Sequence, residues 1–176
     1  VLSVRNECKE LLFVVEREAD GREPLVRCIN FGLDGMQSFS FTLEEERSAV
    51  LVPAGQVGTY LYEPNASVLK AGAFKQIAVR TGVKKLQVNS HLYTSDHLVS
   101  DFPGRRFRVD EVLSFTGKLC KGLSKTIPQA NITVRNFPLS VEELRKRTKI
   151  TDGGHVYLFA TTLVDGEKVL VKCSKA

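Results

Sequence analysis

The chain contains no tryptophan, one methionine and three histidines. Its four cysteines, Cys8, Cys28, Cys120 and Cys173, are far apart, so no paired metal-binding knuckle exists. His91, His97 and His155 are scattered, and none stands at a carboxylate–histidine spacing used by zinc or iron sites. There is no Gly-X-Ser-X-Gly elbow and no glycine-rich nucleotide fingerprint after a strand; Gly153-Gly154 and Gly55…Gly58 read as loop glycines. No apolar run approaches the ~20 residues of a membrane-spanning helix. Internal repeats and low-complexity segments are also missing. What remains is ordinary globular composition, 43% apolar and 26% charged over 176 residues. That is too apolar for a disordered tail and long enough for one domain or two small ones.

The first residues, Val1-Leu2-Ser3-Val4-Arg5, lack an initiator methionine, and Arg5, Glu7, Lys9 and Glu10 break up any signal-peptide core. We therefore expect a piece of a longer protein, with part of it missing here, and a cytoplasmic setting. The cysteines are expected to be reduced, mostly buried thiols.

Charge is unevenly spread. Residues 1–63 carry six cations and eleven anions, a net of −5, whereas 64–176 carry 19 cations and nine anions, a net of +10. Such a split predicts two functional regions, the second with an anionic partner, of which nucleic acid is the commonest.

Residues 10–63 read as β structure. The run Glu10–Glu16 resembles a buried strand, Asp20-Gly21 a turn, and Leu25–Phe31 an alternating strand that would pair with the first run as a hairpin. Gln37–Leu43 alternates, with Phe39, Phe41 and Leu43 on one face. Residues 52–58 are a loop and 59–63 a short strand. Asn65 is placed to cap a helix whose face is Ala66, Leu69, Ala73 and Ile77 and whose stop is Gly82. Segments 86–89 and 91–94 suggest extended chain, and Asp101–Gly104 a loop and boundary. The remainder is clearer. Arg106–Leu113 is a strand, and Thr116 caps a helix stopped by Pro128. Asn131–Phe137 is a strand, and Ser140…Glu143 is a capping box opening a helix that ends in Arg145-Lys146-Arg147-Thr148-Lys149. Two last strands flank Asp165-Gly166. This order, βαβαββ, predicts a two-layer unit with helices on a sheet.

One helix carries the candidate chemistry. At about 100° per residue, Leu119, Cys120, Leu123 and Ile127 share one half of the 116–127 wheel, and Lys118, Lys121 and Lys125 share the other. With Arg105, Arg106 and Arg108 ahead of the helix and Arg135 on the next strand, the set suits phosphate, arginines bidentately and lysines without sequence preference. An exposed helix face needs polar residues anyway, so a single lysine says little; the cluster favours RNA or another polyanion. The second cluster, at 145–149, is explained by the helix dipole alone.

Several strings together resemble a known family. They are Asn6–Leu12, Tyr62-Glu63-Pro64 through Gly72, Tyr93–Asp96, Arg106–Val109, Val134-Arg135 followed by Val141–Arg145, and Tyr157–Ala160. In order and spacing they resemble the C-terminal region of bacterial class I S-adenosylmethionine-dependent methyltransferases with a THUMP-like domain. Asn136 stands where that pattern has glycine. The resemblance implies an α+β fold: an antiparallel β segment, then a small ferredoxin-like unit, then the two-layer βαβαββ THUMP-like domain. It places trailing strands of the methyltransferase domain, or an insertion beside it, at 1–60, the ferredoxin-like linker at 61–104 and the THUMP-like domain at 105–176. It implies that catalytic residues and the S-adenosylmethionine site lie upstream, with no cofactor and no metal on this chain. THUMP domains are associated with RNA binding and with tRNA modification. The expected partners are RNA, tRNA among them, and the upstream methyltransferase domain, with no membrane and no DNA. Arg105, Arg106, Arg108, Lys118, Lys121, Lys125 and Arg135 are the expected phosphate contacts. Two other readings remain: a structural or protein-interaction module, with Phe39 and Phe41 facing the catalytic domain, or an autonomous enzyme, for which the residues give no support.

Overall fold

The computed structural model describes residues 1–17, 21, 23–33 and 35–176. The fold is mixed α and β, and the chain divides into two compact units: residues 1–51, 63–83 and 99–105 form the first, and 52–62, 84–98 and 106–176 the second.

The first unit holds a four-stranded sheet in the order β2-β1-β3-β4. Its strands are β1 (Leu2–Val4), β2 (Glu7–Glu10), β3 (Leu25–Gly32) and β4 (Gly35–Thr42). The expected hairpin of 10–16 with 25–31 does not form. Strand β3 instead forms its hairpin with β4, Leu25 opposite Thr42 and Phe31 opposite Met36, and takes β1 in parallel on its other edge. Arg5 and Asn6, both at positive φ (50° and 63°), turn the chain so that β2 closes the sheet on β1. Both edges of β3 are then occupied, and Leu11–Glu16 runs on as exposed coil instead of a buried strand. Of the Asp20-Gly21 turn signal, Asp20 lies outside the described residues.

Leu43 does not continue the β4 face. It begins helix α1 (Leu43–Ser48), because Thr42 and Glu45 form a capping box: the Thr42 hydroxyl accepts from the Glu45 amide at 3.2 Å, and the Glu45 carboxylate accepts from the Thr42 amide at 2.7 Å. The expected single helix after Asn65 is two. Asn65 caps α2 (Ala66–Ala71) as anticipated, but Gly72 takes the left-handed conformation and ends it (φ 80°). Helix α3 (Gln76–Thr81) follows, ending at Gly82. No side chain of its own caps α3; the Glu46 carboxylate does so from α1, accepting from the amides of Lys75 and Gln76 at 2.9 and 2.8 Å.

The seven-stranded sheet has the order β6-β7-β5-β8-β11-β10-β9. Its strands are β5 (Tyr60–Pro64), β6 (Lys84–Lys85), β7 (Tyr93–Ser95), β8 (Gly104–Ser114), β9 (Asn131–Arg135), β10 (Tyr157–Thr162) and β11 (Lys168–Lys175). The extended chain expected at 86–94 shrinks to Tyr93 onward, because Ser90 turns back on Gln87 and His91 sits at φ 51°. From β8 to β11 the order is the expected βαβαββ. Strand β9 pairs in parallel with β10, which pairs antiparallel with β11 and so reaches β8. Helix α4 (Gly117–Thr126) and helix α5 (Val141–Thr148) pack their apolar faces on one side of the sheet, where Leu123, Ile127, Leu144, Leu158, Ala160 and Leu170 form a core. The other side buries Leu61, Leu92, Phe107, Phe159, Val171 and Cys173 in a second core. Phe107 meets Phe159 edge-on at 4.8 Å.

Cys28, Cys120 and Cys173 are buried free thiols. Burial pushes the pKa of Cys28 up to about 11 and raises that of Cys173 further, which removes thiolate reactivity. No helix among the described residues is long and apolar enough to cross a membrane.

Candidate nucleic-acid interface

Helix α4 follows directly from its sequence. The Thr116 hydroxyl accepts from the Leu119 amide at 3.1 Å, and the helix ends at Ile127 ahead of Pro128. Cys120, Leu123 and Ile127 are buried in the helix-side core. That anchoring turns Lys118, Lys121 and Lys125 outward on one ridge, all three exposed. Among the described residues no carboxylate lies in an ion pair with any of them.

Helix α5 packs beside α4. Its capping box is present, with Ser140 accepting from the Glu143 amide at 3.2 Å and Glu143 accepting from the Ser140 amide at 2.8 Å. The basic C-terminal run then splits by role. Arg145 is structural: it donates to the carbonyls of Ile150 and Ala130, each at 3.3 Å, and pairs with Asp152. Arg147 is exposed and close enough to Cys120 on α4 to oppose the rise that burial imposes on that thiol. Arg147 thus lies on the α4 side of α5, near the buried half of α4. Sequence reasoning set it aside, because the approach of α5 to α4 is tertiary and leaves no local signal.

The expected arginines do not gather into one patch. Arg105 belongs to the first unit, and its Nε donates to the Glu63 carboxylate at 2.8 Å, with a second contact from the same guanidinium. Glu63 is 2% exposed, so this pair stabilises a buried charge. The neighbouring Gly104 is there for space: a Cβ would lie 2.2 Å from the Glu63 carbonyl oxygen. Arg106 and Arg108 alternate with buried Phe107 along β8, so they project from the face opposite to it, the face that carries the helices farther along. Arg135 faces the other way. It is registered with Thr161, one step from the Thr133–Phe159 pair of the second core, and it influences His91 together with Lys85. Lys118, Lys121 and Lys125 thus form one basic ridge, with Arg106 and Arg108 on the same side of the sheet and Arg135 on the opposite side.

Asn136 adopts φ 52°, the left-handed region in which asparagine substitutes for glycine most easily. It also lines an open, shallow cavity of about 450 Å³ with Val134, Phe137, Pro138, Thr162 and Lys168. Lys168 is the one titratable group in that lining.

Comparison with known proteins agrees with this architecture. Residues 60–103 match a ferredoxin-like domain family, and residues 104–175 match a family described as THUMP domain-like. Residues 104–175 thus form a THUMP-like domain. A crystal structure of a proposed methyltransferase from Porphyromonas gingivalis W83 is similar as well, at 48% identity and a TM-score of 0.82. That similarity covers 86% of this chain and 38% of the Porphyromonas chain. This chain thus spans well under half the length of that relative. No curated protein matches it. The basic ridge of α4 lies wholly within the THUMP-like domain.

Proposed function

We propose that this chain is the substrate-handling part of a longer methyltransferase and that its THUMP-like domain binds RNA, tRNA being the first substrate to test. The observation that carries this reading is the exposed row Lys118, Lys121 and Lys125, none of them held by a carboxylate among the described residues, within residues that match a THUMP-like family. Lysines on a rigid helix neutralise successive phosphates without reading bases, and counterion release supplies most of the affinity. Arg106 and Arg108 extend the contact, whereas Arg105 and Arg135 act within the fold.

The chain binds and orients; the methyl donor belongs elsewhere. Two of its loop glycines are close-packed against protein. A Cβ at Gly58 would lie 2.7 Å from Asp96, and one at Gly153 would lie 2.9 Å from Gln129. The cofactor and the catalytic residues are assigned to polypeptide outside this chain, with residues 1–60 beside that domain.

The test is the double variant Lys118→Glu/Lys121→Glu. RNA affinity should fall about tenfold or more at every sequence tried, and the slope of log affinity against log salt should lose about one for each lysine. Unchanged affinity and slope would remove α4 from the interface.

A further inference from the structure

The four-stranded sheet covers one face, where Cys28 and Phe41 are buried, and leaves the other open, as an ordinary half-solvated sheet does. Its inner face is rich in polar groups. The Ser3 hydroxyl donates to Asn30 at 2.7 Å, Asn30 to Gln37 at 3.3 Å and Asn65 to Gln37 at 3.0 Å, and Gln37 donates to the Gly104 carbonyl at 3.2 Å. Its outer face holds an apolar patch at one end, with Arg27, Ser38 and Ser40 beyond it. Val4, Phe31 and Met36 stand opposite one another across β1, β3 and β4 and are all exposed, Met36 by 61%; Leu2 and Ile29 form the next row, half-buried. Directly after the edge strand β2 come Leu11-Leu12-Phe13-Val14-Val15. All five are exposed, Phe13 by 88% and Val15 by 89%, and none of their amides is hydrogen-bonded among the described residues. Soluble surfaces carry single exposed apolar residues, not a run of five beside an apolar patch.

We propose that this face and the run Leu11–Val15 form the seat for the remainder of the same polypeptide, the methyltransferase-type domain. The inference rests on the reading that this chain is part of a longer methyltransferase. Two observations select that occupant. The relative at 48% identity carries 62% of its length beyond the share this chain spans, so the partner is tethered and present at high effective concentration. A second copy of this chain is disfavoured by charge: residues 1–51 hold ten carboxylates against six cations, which would meet their own kind across a self-complementary interface. The two aromatic residues that sequence reasoning put in this role do not serve it. Phe41 is fully buried within the first unit, and Phe39 lies under the Arg80 guanidinium, 5.5 Å from the ring centroid.

The experiment is hydrogen exchange on the full-length protein, wild type and Phe13→Asp/Val15→Asp, with tRNA affinity measured on the same samples. In the wild type, the amides of 12–15 should exchange at least tenfold more slowly than an unstructured chain, and the variant should restore fast exchange with tRNA affinity unchanged. Fast exchange in the wild type would overturn the proposal. So would protection that appears only as protein concentration rises, since that marks self-association. Normal protection with no tRNA binding would instead retire the RNA reading and leave the docking surface standing.

Discussion

The two sheets differ in how completely their faces are covered. In the seven-stranded sheet the central strands β10 and β11 are apolar on both faces, and both faces are covered: Leu158, Ala160 and Leu170 under the helices, Phe159, Val171 and Cys173 on the other side. In the four-stranded sheet one face is covered, with Cys28 and Phe41 buried beside a polar network, and the other leaves the apolar patch of Val4, Phe31 and Met36 open. The first arrangement keeps its hydrophobic driving force within the described residues; the second leaves part of it on the surface, where only a further partner can use it. The exposed surfaces differ as well. The self-contained sheet carries exposed cations on α4, and the open sheet carries an exposed apolar patch.

The largest effect that sharpens this contrast is a pair of phenylalanine truncations. Phe159→Ala removes a fully buried ring from the second core and should cost about 4 kcal/mol in a denaturant titration, whereas Phe13→Ala should change the stability of this chain by less than about 0.5 kcal/mol. Equal losses at the two positions would break the comparison. Next in size is the buried ion pair of the first unit. Arg105→Ala removes the ion-pair partner of the buried Glu63 carboxylate and should cost about 2 kcal/mol, below the value for a fully buried pair because the arginine is partly in solvent. If Arg105 instead serves phosphate, the variant would lose RNA affinity with its midpoint unchanged. The smallest effect concerns pH. Burial, then the charges of Lys85 and Arg135, hold the His91 imidazole below the ordinary histidine range. The unfolded chain therefore binds the proton first, so stability is fully present above the ordinary histidine pKa and is lost as pH falls through it. The melting temperature should drop between about pH 7 and 5, and His91→Asn, which tolerates the left-handed backbone there, should reduce that drop. The same drop in the variant would place the titrating group elsewhere.

Most of the βαβαββ half was legible because its signals are local. The Thr116 cap, Pro128, the Ser140…Glu143 box and the Asp165-Gly166 turn each act within a few residues, and each element forms where its signal lies. The first unit was read less well because its pairing is non-local. Strand β1 has three residues, too few to show a period, yet its parallel pairing with β3 decides that Leu11–Val15 is left without a partner strand. The Thr42…Glu45 box had a local signature and was overlooked, since Phe39 and Phe41 alternate up to it. In the site, the lysine ridge followed from helical periodicity. What periodicity could not supply was Glu63 holding Arg105 from 42 residues away, or the strand alternation that turns Arg135 away from α4.

The central claim is that the THUMP-like domain offers phosphate a preformed basic surface. Its most direct test is binding of a labelled bulk tRNA pool to this chain across a salt series. The account predicts micromolar or tighter binding at low salt, with log affinity falling steeply and linearly against log salt. No binding at low salt, or binding indifferent to salt, would contradict it and leave Lys118, Lys121 and Lys125 as a hydrated helix face.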